Sequence, residues 1–191
     1  MEENEKIVLK ISNEFLIAGI IGLVNFLLVI IFIALDFLYV ISFPYSDILS
    51  SAFGLVISIL IFDLMFNGLK EIGIENSINM KYFSWSKILI IFYPISSALL
   101  ILIYLVALPV MISLIVFIIF ITSIVLSFIS LLLLGIYMYK IGKEINHKTV
   151  LIGGLLIILS GLTQIFLIPF IWIACILLFI GFRKYLFQLS I

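Results

Sequence analysis

In the stretch IFDLMFNGLK, residues 61–70, a carboxylate, Asp63, stands one helical turn before an amide, Asn67, at the end of a long apolar run. A charged group at the centre of a lipid-embedded helix costs about 2.5–3.5 kcal/mol on insertion scales, and less toward the helix ends. Such a residue therefore marks either an ion or proton site or a polar knot between helices. Asp63 lies seven residues before Lys70, hence on the same helical face and about 10 Å from the charged boundary. Asn67 at i+4 is placed to donate to the carboxylate. With no basic partner at similar depth, the polar knot is the favoured expectation and the transport site the sharper alternative. Asn25, an amide near the middle of the first apolar run, is the third candidate. Interhelical amide contacts are worth about 1 kcal/mol, so helix packing is expected there rather than ligand binding.

Other chemistry is sparse. There is no HExxH, no GxSxG and no phosphate loop, and His147, in INHKT, is the sole histidine. One histidine builds neither a metal site nor a base network, and His147 is expected as a solvated loop residue. The single cysteine, Cys175, excludes an internal disulfide and is expected as a small buried apolar group. Asp36 and Asp47, at the outer edge, read as helix-end and loop residues. No catalytic residue, metal site or cofactor is expected, and the chain does not read as an enzyme.

The elements that carry these residues follow from composition. The chain is 66% hydrophobic and 10% charged with a mean hydropathy of +1.49, where soluble domains carry about 45–50% apolar and about 25% charged residues. Lipid must be its solvent. Ten Lys plus Arg balance ten Asp plus Glu, which leaves no basic excess to recruit nucleic acid. The amino terminus opens acidic and no small-residue cleavage site follows the first apolar run, so that run is expected to stay as an anchor. Nine lysines to one arginine and abundant isoleucine suit an AT-rich genome, that of an archaeon or a thermophile.

A bilayer core of roughly 30 Å takes about 20 helical residues. Residues 88–139 contain no charged residue and no histidine, a length of about 78 Å as helix, hence two crossings with a turn at ALPVM, where Pro109 breaks the helix. Residues 149–182 are likewise uncharged, about 51 Å, and are expected as a pair or a re-entrant pair around Gln164 and Pro169. The fold class expected is all-α: an integral membrane bundle of six transmembrane helices in three hairpins, with both termini cytoplasmic. The chain then forms one membrane domain, with residues 1–13 cytoplasmic, spans near 15–36, 47–69, 87–107, 111–139, 149–166 and 169–187, and a cytoplasmic loop at 70–86. In that threading all ten basic residues fall on one side, a split expected by chance roughly once in several hundred trials.

Aromatic residues agree with this depth. Tyr82, Phe83, Trp85, Tyr137 and Tyr139 are expected in a cytoplasmic interfacial belt, and Tyr39, Phe43, Tyr45 and Trp172 in the outer one. A short interfacial helix around Ile72, Ile74, Ile78 and Met80 is expected in the long loop. Small or hydroxylated residues recur at helical spacing: Ala18, Gly22 and Asn25; Ser50, Gly54 and Ser58; Ser123, Ser127 and Ser130. They predict close helix packing. Pro94 predicts a kink whose freed carbonyl is re-satisfied by Ser96 or Ser97.

The segment LMFNGLKEIGIENSINMKYF and the closing run from LLLLGIYMYK to LLFIGF resemble an uncharacterised family of small, mostly archaeal, polytopic membrane proteins, a domain of unknown function. The likeness covers roughly residues 50–187 and rests on Gly68, Leu69 and Lys70, the polar linker after them, and the runs around Gly153, Gly154 and Gly161. It implies a membrane protein and transfers no activity and no site residue. Together these features lead to a non-catalytic structural or accessory membrane subunit in the cytoplasmic membrane, partnered by lipid and by a second copy or another membrane protein through its small-residue faces. The alternative is a small-solute carrier or the substrate-binding membrane subunit of a transporter.

Overall fold

The computed structural model describes residues 2–37, 81–105, 110–163 and 170–189, with isolated helical positions between 48 and 69. The described residues form α1 (Glu2–Phe37), α2 (Lys81–Leu89), α3 (Phe92–Leu105), α4 (Val110–Glu144), α5 (Lys148–Thr163) and α6 (Phe170–Leu189), with no strand among them. Ile48, Ala52, Leu55, Val56, Ile59, Asp63, Phe66 and Leu69 are each helical. Helices dominate because an apolar backbone outside water must satisfy its hydrogen bonds internally. Among the described residues three helical stretches are long and apolar enough to cross a membrane: Val8–Phe32, Lys81–Ile103 and Ile112–Glu144. Lys148–Ser160 is apolar but shorter. The segments expected as outer turns at 106–109 and 164–169, the expected loop helix at 72–80 and the expected seam at Ser50, Gly54 and Ser58 lie outside the described residues.

The second of these stretches is broken at Ile90 and Ile91, which separate α2 from α3. Pro94 has no N–H to donate to the Ile90 carbonyl, and its ring crowds that carbonyl. The Ile90 carbonyl accepts instead from the Tyr93 N–H at 3.0 Å. Ser96 Oγ donates to the Tyr93 carbonyl at 2.7 Å, so the expectation that a serine re-satisfies the carbonyl freed by Pro94 is corrected: a backbone N–H does so at Ile90, and the hydroxyl binds the carbonyl one residue before the proline. The helix also begins at Lys81, which turns part of the expected loop into helical backbone.

Neighbouring helices run antiparallel. Phe15 stacks on Phe182 at 5.8 Å while Gly22 meets Trp172, which pairs α1 with α6 in opposite directions. Gly181 faces Val150, and Gly153 faces Leu178, so α5 and α6 are likewise opposed. Gly142 abuts Leu151 and Gly135 abuts Ile158, which closes the α4–α5 hairpin. α2 and α3 pack on α4. These contacts bring the start of α1, the end of α4, the start of α5 and the end of α6 together, with Lys10, Lys143, Lys148, Arg183 and Lys184. Lys140 lies over Tyr82, so Lys81 is carried near by, and Lys87 follows beside Ser86 further along α4. Among the described residues no lysine or arginine accompanies α3 or the first half of α4.

The core is apolar and aromatic, with Phe15, Leu134, Tyr137, Ile157, Leu178 and Phe182 almost fully buried. The outward faces are apolar too. Ile17, Ile20, Val24, Leu27 and Ile31 stand out along α1, and Ile152, Leu155 and Leu159 along α5. Contiguous exposed apolar faces of this extent suit a hydrocarbon solvent.

Candidate functional site

The three polar candidates are not brought into one pocket. Asp63 is exposed on its helix. Asn67, its expected partner, lies outside the described residues. Asn25 is half-buried on α1, one turn beyond the Gly22–Trp172 contact, and its Oδ1 is buried without a hydrogen-bond partner. Among the described residues no group of three or more His, Cys, Asp and Glu is placed to hold a metal.

The small-residue seams are interfaces. A Cβ on Gly22 would collide with the Trp172 ring, and one on Gly19 would come within 2.9 Å of Ile176. Trp172, expected in the outer belt, therefore fills the notch that Gly22 leaves in α1. Gly142 and Gly154 act differently, because their neighbours are backbone. A Cβ at either would stand 2.5 Å from a main-chain nitrogen, of Leu151 or of Tyr139. Only glycine lets α4 and α5 approach this closely.

Several buried hydroxyls are spent on carbonyls, whereas Ser12 Oγ on α1 is buried without a hydrogen-bond partner. Ser127 Oγ donates to the Ser123 carbonyl at 2.8 Å, and Ser160 Oγ to the Ile157 carbonyl at 2.6 Å. Ser86 and Ser130, both fully buried, form a reciprocal pair across α2 and α4. Ser86 Oγ donates to the Ser130 carbonyl at 3.0 Å, and Ser130 Oγ to the Ser86 carbonyl at 2.8 Å. Ser130 was visible in the serine repeat of α4. Ser86 was not, since its neighbours Lys81 and Lys87 mark it as interfacial, and only the tertiary crossing gives it a partner.

Two aromatic expectations change. Phe83 is buried rather than belted, edge-on to Phe66 and 5.4 Å from Tyr137. Tyr137 Oη donates to the Leu69 carbonyl at 3.0 Å, tying that helical position to α4. Trp85 and Tyr139 are exposed, as a belt requires.

His147 is also corrected: it is buried, not a solvated loop residue. The link between α4 and α5 is so tight that Asn146 takes a positive φ of 52° and the His147 N–H reaches back to the Gly142 carbonyl at 2.9 Å. The His147 carbonyl accepts from the Leu151 N–H at 3.1 Å, which makes it the N-cap of α5. Its Nδ1 has no partner, and burial together with nearby Lys184 lowers its pKa. Cys175 is fully buried.

The fold and its seams define a class: a helical protein that has, among the described residues, three helical stretches long and apolar enough to cross a membrane, close-packed through glycine and serine. No family model matches the chain, and no curated protein or solved structure matches it at a significant level.

Proposed function

We propose that the chain is a multi-pass integral protein of the cytoplasmic membrane with a non-catalytic, structural or accessory role, six spans in three hairpins and both termini cytoplasmic. The observation that carries it is the collection of lysine and arginine in one half of an antiparallel bundle, next to apolar faces turned outward. Basic residues are retained on the cytoplasmic side, and apolar faces need lipid or another helix. Hydroxyls spent on carbonyls support packing over a solute path. Association with archaeal polytopic proteins of unknown function rests on the sequence features around Gly68–Lys70 and Gly153–Gly161.

A carrier or substrate-binding membrane subunit is the second reading, and the unpartnered Oδ1 of Asn25 is what favours it. Co-purification from the native membrane with mass spectrometry separates the two. The accessory role predicts a stoichiometric membrane-protein partner or a second copy, unaffected by Asn25→Leu. A retained small molecule lost on Asn25→Leu would replace it with the carrier.

A further inference from the structure

α2 and α5 lie on opposite sides of α4. The contacts of α2 are at Ser130, Tyr137 and Lys140, and those of α5 at Gly135, Tyr139 and Gly142. At 3.6 residues per turn the two sets stand about half a turn apart. Packed helix axes are about 8–10 Å apart, so about 16–20 Å separates α2 from α5 across α4.

The same contacts measure height along α4. The outward apolar face of α5 begins at Ile152, one residue beyond the Leu151–Gly142 contact and so level with Ile141. On α2, Ser84, Trp85 and Lys87 are exposed, and Lys87 stands one residue past Ser86, which is level with Ser130. The edge of the hydrocarbon marked by α2 is therefore about 17 Å further along α4 than the edge marked by α5. In an upright bundle the Lys87 backbone would sit about 15 Å deeper than that of Lys140, too far for a lysine to snorkel back, while Leu159 of α5 would be the shallower residue.

We propose that α2 is a second headgroup-facing flank of the bundle, and that α4 crosses the bilayer obliquely, about 45° from the normal. A boundary that climbs about 17 Å across about 16–20 Å needs a tilt of about 40–47°. The length of α4 asks for the same tilt independently. Its uncharged part, 110–139, is about 45 Å long and fits a core of roughly 30 Å at about 48°. Transmembrane helices tilt by about 20° on average, and a hydrophobic stretch longer than the core tilts further. Seated in this way, Lys87, Lys140 and Lys148 reach one layer of cytoplasmic headgroups, and exposed Trp85 lies at the level an indole prefers.

The inference rests on the membrane reading, and the test separates the two. In a Cys175→Ala background, Ile88→Cys and Leu159→Cys, both outward-facing positions that leave every charge in place, carry a nitroxide spin label in phosphatidylcholine vesicles. Depth is read from relaxation by oxygen, which enters hydrocarbon, against a water-soluble nickel chelate, which does not. The oblique seat places position 159 deeper than position 88 by about 6 Å, whereas an upright bundle places 88 deeper by about 9 Å. Position 88 as deep as position 159, or deeper, overturns the oblique seat and leaves the membrane reading standing. Full access of the nickel chelate to both positions overturns the membrane reading and the seat with it.

Discussion

Gly154→Ala gives the sharpest mutational test of the packing. In a solvent-exposed helix the change would be stabilising by about 0.8–1 kcal/mol, since alanine is the better helix former. Here the added Cβ stands 2.5 Å from the Tyr139 nitrogen, 2.9 Å from its Cα and 3.0 Å from the Met138 carbonyl carbon, where ordinary contacts begin at 3.4 Å. Those atoms are backbone and cannot rotate away, so α5 must move outward by roughly 1 Å, and overpacking of this kind costs about 1–3 kcal/mol or more. The net effect expected is destabilisation by about 0–2 kcal/mol, or up to roughly 8 °C in Tm for a chain of this size, in place of the gain alanine would otherwise bring. Gly142→Ala meets the Leu151 nitrogen in the same way, at 2.5 Å. One outward shift of α5 relieves both clashes, so the double substitution is expected to cost less than the sum of the singles. Unfolding can be followed with a thiol-reactive fluorophore, because the one cysteine, Cys175, is fully buried in the folded chain. Leu155→Ala, on the outward face of α5, is the control and should stay within about 0.5 kcal/mol. A higher Tm for Gly154→Ala would refute the close approach of α4 and α5.

Ser86→Ala and Ser130→Ala, taken through a double-mutant cycle, should show a coupling of about 0.6–1.7 kcal/mol, and additive losses would dissolve the reciprocal pair. Tyr137→Phe leaves the Leu69 carbonyl without its hydroxyl donor and should destabilise by about 1 kcal/mol, read in the same thermal assay. Asn25→Leu removes a buried oxygen that has no partner, so stability should hold or rise if the residue only packs. His147 has its pKa lowered from the ordinary 6.5, so the unfolded chain takes up the proton first. Its contribution is constant above about pH 6.5, and stability falls as pH drops below that toward the folded pKa. His147→Gln should flatten that acid limb, and an unchanged pH profile would place the histidine in solvent.

What the sequence made legible was set by long-range composition. Uncharged runs and the position of Pro94 announced helices and a break, because both act through the local backbone. The small residues at Ala18, Gly22, Ser127 and Ser130 announced interfaces, because lipid offers no other use for them. What it did not show were partners. Gly22 does not name Trp172, nor Ser130 Ser86, since each pairing joins residues far apart in the chain. His147 was misjudged for the same reason: a polar INHKT reads as exposed until the tight turn folds it under the end of α6 and beside Lys184. Asp63 was singled out on depth alone, and its exposure follows from which face of the helix turns outward.

The central claim is that the basic half of the bundle faces the cytoplasm. In a Cys175→Ala background, Lys10→Cys, Lys184→Cys and Phe37→Cys are each labelled with a membrane-impermeant maleimide, first in intact cells and then in inverted vesicles. Positions 10 and 184 should react in inverted vesicles alone and position 37 in intact cells alone. Reaction of positions 10 and 184 from opposite sides would contradict the account.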